Sequence, residues 1–142
     1  MTQVQRSALV ITCAAWIFLS CSTSGIVTST GLKYEIVVEG EGSIAAVGDS
    51  VRVHESARLE DGTLLYSTRT NNRPVVFLLG GDQVIDGVNE GVTGMRVGER
   101  RKLVVPPSLS KRSEYPKNIP KDATLYYNIE LLEILGQSVP GD

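Results

Sequence analysis

The stretch from residue 78 to residue 107, LLGGDQVIDGVNEGVTGMRVGERRKLVVPP, constrains the fold more than any other. Val84, Val88, Val92 and Met95 recur at helical spacing and define one apolar side of a helix. Gly87, Gly91 and Gly94 interrupt that pattern. Each glycine inside a helix costs about 1 kcal/mol relative to alanine. Such a helix is weak by itself, so tertiary packing has to hold it. The spacing predicts a short central helix wrapped by other elements. A Val-Gly-Glu turn, an apolar strand over 100–105 and the stop Pro106-Pro107 follow it.

The rest of the chain supplies the wrapping. Strands are predicted over 33–38, 50–59, 64–67, 75–79 and 124–135. In 50–59 the odd positions Val51, Val53, Ala57 and Leu59 face one way, and Arg52, His54, Ser56 and Arg58 the other. Glu55 is a carboxylate on the apolar side. His54, the one histidine, reads as a solvated strand residue on the polar side, and the run Arg96, Arg100, Arg101 and Lys102 as a solvated edge. Asp61-Gly62 marks a tight hairpin. Val75, Phe77 and Leu79 share a face, as do Leu125, Tyr127, Ile129 and Leu131. No strand–helix–strand alternation occurs. The class is therefore α+β: a five- to six-stranded antiparallel twisted sheet around one short α-helix.

The 142 residues, 42% hydrophobic with net charge −2, fit one domain and give no basic surface for nucleic acid. Arg6, the apolar run 8–19 and the small residues after it form a secretory signal. That run is shorter than the roughly 20 residues of a bilayer span. Phe18-Leu19-Ser20-Cys21 resembles a bacterial lipoprotein processing site, in which Cys21 is lipidated and attaches the domain to a membrane. Cleavage near Ser22 or Ser24 is the alternative. Either way the chain is expected in the periplasm or cell envelope. The segments are 1–21 signal peptide, 22–31 linker, 32–136 folded domain and 137–142 flexible tail. Cys13 and Cys21 both lie in the signal, so the domain holds no disulfide and no thiol nucleophile. Gly80-Gly81 with Gly87 lacks the Lys-Ser/Thr element of a phosphate loop.

Three stretches then coincide in order. Leu59-Glu60-Asp61-Gly62 is the first. Phe77-Leu78-Leu79-Gly80 with Gln83-Val84-Ile85-Asp86-Gly87-Val88 is the second. Gly94 to Arg100 with Lys102 to Pro106 is the third. Together they resemble the FKBP-type immunophilins, which are peptidyl-prolyl cis-trans isomerases. The resemblance implies a cleft between helix and sheet that takes X-Pro segments of polypeptide clients. It implies no cofactor and no metal; a monomer is expected. It places the backbone donor on Ile85 beside Val84, and an inward ring on Tyr127. It places further substrate contacts on Glu55, Leu65, Tyr66, Val75, Val88, Tyr115, Asn118 and Ile119. Several depart from the family pattern: Val88 stands where Trp is usual and Val75 where Phe is usual. Glu55 and Tyr66 exchange the usual hydroxyl and acid. A buried carboxylate needs a partner, so a Glu55–Tyr66 hydrogen bond is expected. The departures leave two readings: an isomerase for exported proteins, or a catalytically weak peptide-binding module.

Overall fold

The computed structural model describes residues 25–137. The segment 1–21 read as a signal peptide, with Cys13 and Cys21, lies outside the described part, as do the last five residues. The elements are β1 (Ile26–Val27), β2 (Lys33–Val38), β3 (Asp49–Arg58), β4 (Leu64–Ser67), β5 (Val75–Leu78), α1 (Asp86–Val92), β6 (Arg100–Val105) and β7 (Leu125–Gln137). A short 3₁₀ turn, Pro107–Leu109, follows β6. All pairings are antiparallel, and the sheet runs β1-β2-β6-β7-β3-β4. β5 lies on the same edge of β3 as β4, pairing with Ser50–Val53 while β4 pairs with Ser56–Arg58. Register shifts near Ser50–Val53 strengthen the local twist of the central β3–β7 pair.

The sheet thus has seven strands, because Ile26–Val27, within the segment read as a linker, pairs with Lys33 and Tyr34. β7 continues two residues past the predicted end, to Gln137. The helix covers Asp86–Val92 instead of the whole 84–95 pattern. Val84 precedes it, and Met95 follows it as a fully buried residue.

Strand alternation builds the core. Val51, Val53 and Ala57 of β3, Leu103 and Val105 of β6, and Leu125, Tyr127, Ile129 and Leu131 of β7 are buried with Val88 and Val92 of α1. The helical glycines are explained here. A Cβ on Gly87 would stand 2.4 Å from Val105 Cγ1, and one on Gly91 2.3 Å from Leu103 Cδ1. The helix backbone lies directly on the β6 side chains.

The same period-two logic corrects the reading of the basic run. Arg101 shares its face with Leu103 and Val105, so it points inward and is buried. Its Nε donates to Glu99 Oε1. Its two terminal nitrogens donate to the carbonyls of Gly91 (3.1 Å) and Gly94 (3.2 Å), at the end of α1. The guanidinium also stacks on the Tyr34 ring, 4.6 Å from its centroid. Arg96, Arg100 and Lys102 are exposed as expected.

His54 is the second correction. It does face away from the core, but the turn after β4 folds over it. Thr68 Oγ1 lies 3.0 Å from His54 Nδ1 and donates to the Glu55 carbonyl, so the histidine is buried.

Gly87→Ala tests the seating of the helix. Helix propensity favours alanine by about 1 kcal/mol. Overpacking against Val105, which has little freedom to move, costs about 1–3 kcal/mol. A lower urea midpoint than wild type is expected. A higher midpoint would show that the helix does not sit this close to β6.

Candidate functional site

The site begins with three residues in a row across the sheet. Ala57 of β3 stands opposite Tyr66 of β4 on one side and Tyr127 of β7 on the other. Cross-strand partners share a face. The small Ala57 side chain leaves the two rings free to meet over it. They do so edge to face, with centroids 6.4 Å apart and planes at 74°. Glu55, two residues before Ala57, points to the same side and lines the cleft with both rings.

The start of α1 forms the opposite wall. Ile85 is the helix N-cap, with extended dihedrals (φ −65°, ψ 154°). Its carbonyl accepts from Val88 (3.0 Å) and Asn89 (3.1 Å), and its own N–H precedes the helical ladder. Among the described residues no backbone carbonyl takes that N–H. Asn89 fixes the preceding loop: its Oδ1 accepts from the Gly80 N–H (3.0 Å) and its Nδ2 donates to the Gly81 carbonyl (2.8 Å). Gln83 Oε1 accepts from the Leu78 N–H (2.9 Å), closing the loop from the β5 side.

Between these walls lies a cleft of about 390 Å³. It brings together seven of the residues singled out from sequence: Glu55, Tyr66, Val75, Val84, Ile85, Val88 and Tyr127. The other four lie elsewhere. Leu65 is the extra residue of the bulge where β4 leaves β3, and packs half-buried on the core. Ile119 is buried in the core, and Tyr115 is half-buried under the Lys121 ammonium, 5.8 Å from its ring centroid. Asn118 is exposed. Leu65 thus belongs to β4, whereas Tyr115, Asn118 and Ile119 lie in the loop between Leu109 and β7.

Sequence reasoning missed Asp82, Gln83, Lys111, Arg112 and Ser113, which also line the cleft. Gln83 stood inside a matched motif and could have been assigned. Lys111 to Ser113 carry no periodicity, so nothing local marks them. Among the described residues no cluster of three or more His, Cys, Asp or Glu side chains could hold a metal ion.

The expected polar pair is present. Tyr66 Oη donates to Glu55 Oε1 at 2.7 Å. The Glu55 backbone N–H donates to Thr68 Oγ1 (2.9 Å), which fixes the strand behind the carboxyl. Burial pushes the Glu55 carboxyl above its ordinary 4.5; the Tyr66 hydrogen bond and the Arg112 charge pull it back part of the way. The Tyr66 phenol is raised far above its usual value, first by burial and then by Tyr127 and Glu55. Tyr127 is raised too, chiefly by burial. Both tyrosines are therefore neutral hydrogen-bonding groups at ordinary pH.

With this geometry in view, the comparisons with known proteins decide the family. Residues 42–132 match the family described as FKBP-type peptidyl-prolyl cis-trans isomerase. The chain belongs to that family. It is 40% identical over 132 residues to the Bos taurus peptidyl-prolyl cis-trans isomerase FKBP2, covering 84% of this chain and 94% of the relative. It is 40% identical over 103 residues to FK506-binding protein 1 of Dictyostelium discoideum, covering 72% and 96%. Among solved structures it is similar to FkpA from Escherichia coli, with TM-score 0.71 and 34% identity over 79% of this chain and 52% of that one. It is also similar to AtFKBP13, with TM-score 0.68 and 28% identity over 81% and 99%. In this FKBP-type chain the cleft lies where helix start and sheet meet, with a carboxylate and a tyrosine at its rim.

Tyr66→Phe isolates the polar pair. Removing the phenol strips Glu55 Oε1 of its donor and costs about 1–3 kcal/mol in a denaturant titration. The Glu55 pKa should rise further in a carboxyl NMR titration, since that hydrogen bond lowers it. The raised folded-state pKa sets the sign of the stability effect: Glu55 favours the fold below 4.5 and loses that contribution as pH rises through its folded pKa. A Glu55 titration unchanged by the mutation would rule out the pair.

Proposed function

We propose that the chain catalyses cis-trans isomerisation of X-Pro bonds in polypeptide clients and so assists their folding. The observation that carries this reading is the Ile85 N–H at the helix start, which no backbone carbonyl takes among the described residues, on a residue that lines a cleft with Val75, Val84, Val88 and Tyr127. Rotation about a peptide bond meets a barrier of about 18–20 kcal/mol, because twisting breaks the amide resonance. The twisted state is less polar than the planar one. A pocket that replaces water with apolar walls favours it over the ground state, and a fixed backbone donor orients the substrate carbonyl. The reaction calls for no acid, base, metal or cofactor. Uncatalysed prolyl isomerisation takes tens of seconds or longer, slow enough to limit folding.

A second reading has its own support. The cleft has Val88 and Val75 in place of larger aromatic walls, and it also carries Glu55, Asp82, Lys111 and Arg112. These features suit a peptide-binding module that retains the fold with little catalysis. The N-terminal segment supports export to a cell envelope, and Cys21 supports attachment of the mature chain to a membrane through a lipid. The mass of the mature N-terminus tests both. Among the described residues no helix is long and apolar enough to cross a membrane.

Two experiments test the isomerase reading. Exchange NMR on a short Leu-Pro peptide should show faster cis-trans interconversion with the protein at about micromolar concentration. Binding without acceleration would leave the peptide-binding module. Ile85→Pro then removes the donor together with the buried side chain, without backbone strain at this residue, since the native φ of −65° already suits proline. It should lower kcat/KM about tenfold, the worth of one hydrogen bond, whereas Ile85→Ala keeps the N–H and loses less. Adding Val88→Trp and Val75→Phe should raise the rate; no change would place the pocket elsewhere.

A further inference from the structure

Among the described residues one buried side-chain oxygen or nitrogen has no hydrogen-bond partner: Oε2 of Glu55. The residue is 6% exposed and lines the cleft. Its other oxygen already accepts from the Tyr66 hydroxyl. A buried carboxylate oxygen without a donor is costly, by about 1–3 kcal/mol or more. Packing alone does not call for such an atom, because a methionine would fill the same space with no polar atom to satisfy. The orphaned atom points to a group completed by a ligand.

The chemistry of the ligand decides which form of Glu55 is suited to it. Proline has no N–H. A chain segment around an X-Pro bond therefore presents more acceptors than donors. An ionised carboxylate only accepts; a protonated one gains an O–H donor. The Ile85 N–H offers one donor to such a segment, and an ionised Glu55 would repel it.

We propose that Glu55 works as a neutral carboxylic acid, donating from Oε2 to a backbone carbonyl of the bound proline-containing chain while Oε1 keeps the Tyr66 hydrogen bond. The inference rests on the isomerase reading of the same cleft and extends it to recognition and pH. The last torsion of a glutamate is broad, so a small turn of the carboxyl presents Oε2 to the cleft. The charged and titratable groups facing Glu55 are Tyr66 from β4, Tyr127 from β7, Asp82 from the loop before α1, and Lys111 and Arg112 from the loop after β6. Arg112 favours the ionised form, and burial, the larger effect, favours the neutral one. A bound peptide displaces water from the cleft and deepens that burial, so binding and protonation support each other. The proton remains on Oε2 throughout.

The test follows isomerisation and binding of a blocked peptide without titratable groups, from about pH 8 down to about pH 5. Wild-type kcat/KM and peptide affinity should both rise as pH falls, by about fivefold to tenfold, as one hydrogen bond is gained. Glu55→Gln reproduces the neutral acid: its carbonyl takes the Tyr66 hydrogen bond and its amide nitrogen takes the place of Oε2. It should bind and catalyse at the wild-type low-pH level at every pH. Glu55→Leu should be flat and low, and His54→Gln should keep the wild-type profile. A Glu55→Gln variant as weak as Glu55→Leu overturns the proposal, as does a pH-independent wild type that binds and catalyses no better than Glu55→Leu. If the protein accelerates nothing at any pH, the isomerase reading fails; chemical-shift titration of peptide binding still decides the role of Glu55. A peptide that binds at no pH overturns both.

Discussion

Helix α1 sits so close to β6 that two of its residues have no room for a side chain. Gly87 rests on Val105 and Gly91 on Leu103. The weakness of the helix as an isolated segment and the depth of its seat are one fact. Glycine lowers the intrinsic stability of a helix, and its lack of Cβ is what allows the backbone to approach the sheet. Val88 and Val92, on the buried side, then fill the space between α1 and the strands. The helix start, where Ile85 presents its N–H, is held by the same seating.

The far end of α1 needs a different device. The last carbonyls of a helix have no intrahelical donors, and α1 ends inside the protein. Arg101 meets them from β6, donating to Gly91 and Gly94 while its Nε bonds Glu99. Glu99 in turn accepts from the Arg96 N–H (2.9 Å), which closes the turn between helix and strand. A buried arginine alone would be costly; paired with Glu99, two carbonyls and the Tyr34 ring, it is satisfied. One strand residue therefore ties together the helix end, the turn and the sheet.

Much of this was legible in the sequence because it depends on period. The faces of β3, β5 and β7 follow from simple alternation, and the glycine spacing in 84–95 announced a helix in need of support. The Glu55–Tyr66 pair was legible on two grounds: an acid on an apolar face requires a partner, and the family resemblance pointed to Tyr66 as the hydroxyl exchanged with it. Arg101 was misread because its neighbours in sequence are basic, although its neighbours in register are Leu103 and Val105. His54 was misread because alternation describes the sheet and says nothing of the turn that closes over its outer side. The loop residues Lys111, Arg112 and Ser113 have no period at all, and only the tertiary fold brings them to the cleft.

The cleft combines two kinds of wall whose requirements differ. The helix start and Val75 give it apolar surface, which suits a twisted amide. Glu55, Tyr66 and Arg112 give it a polar side, where every donor and acceptor has to be matched once water leaves. Tyr66 matches one oxygen of Glu55 and leaves the other. The alternation that fixes the fold also fixes this imbalance: Glu55, Ala57, Tyr66 and Tyr127 share one face, so the carboxyl cannot turn to solvent without breaking the register of β3 against two neighbours. A carboxyl held in that position must be neutral, paired with Arg112, or completed by what the cleft binds. An acceptor-rich proline segment favours the neutral form, because only a protonated carboxyl can donate to it.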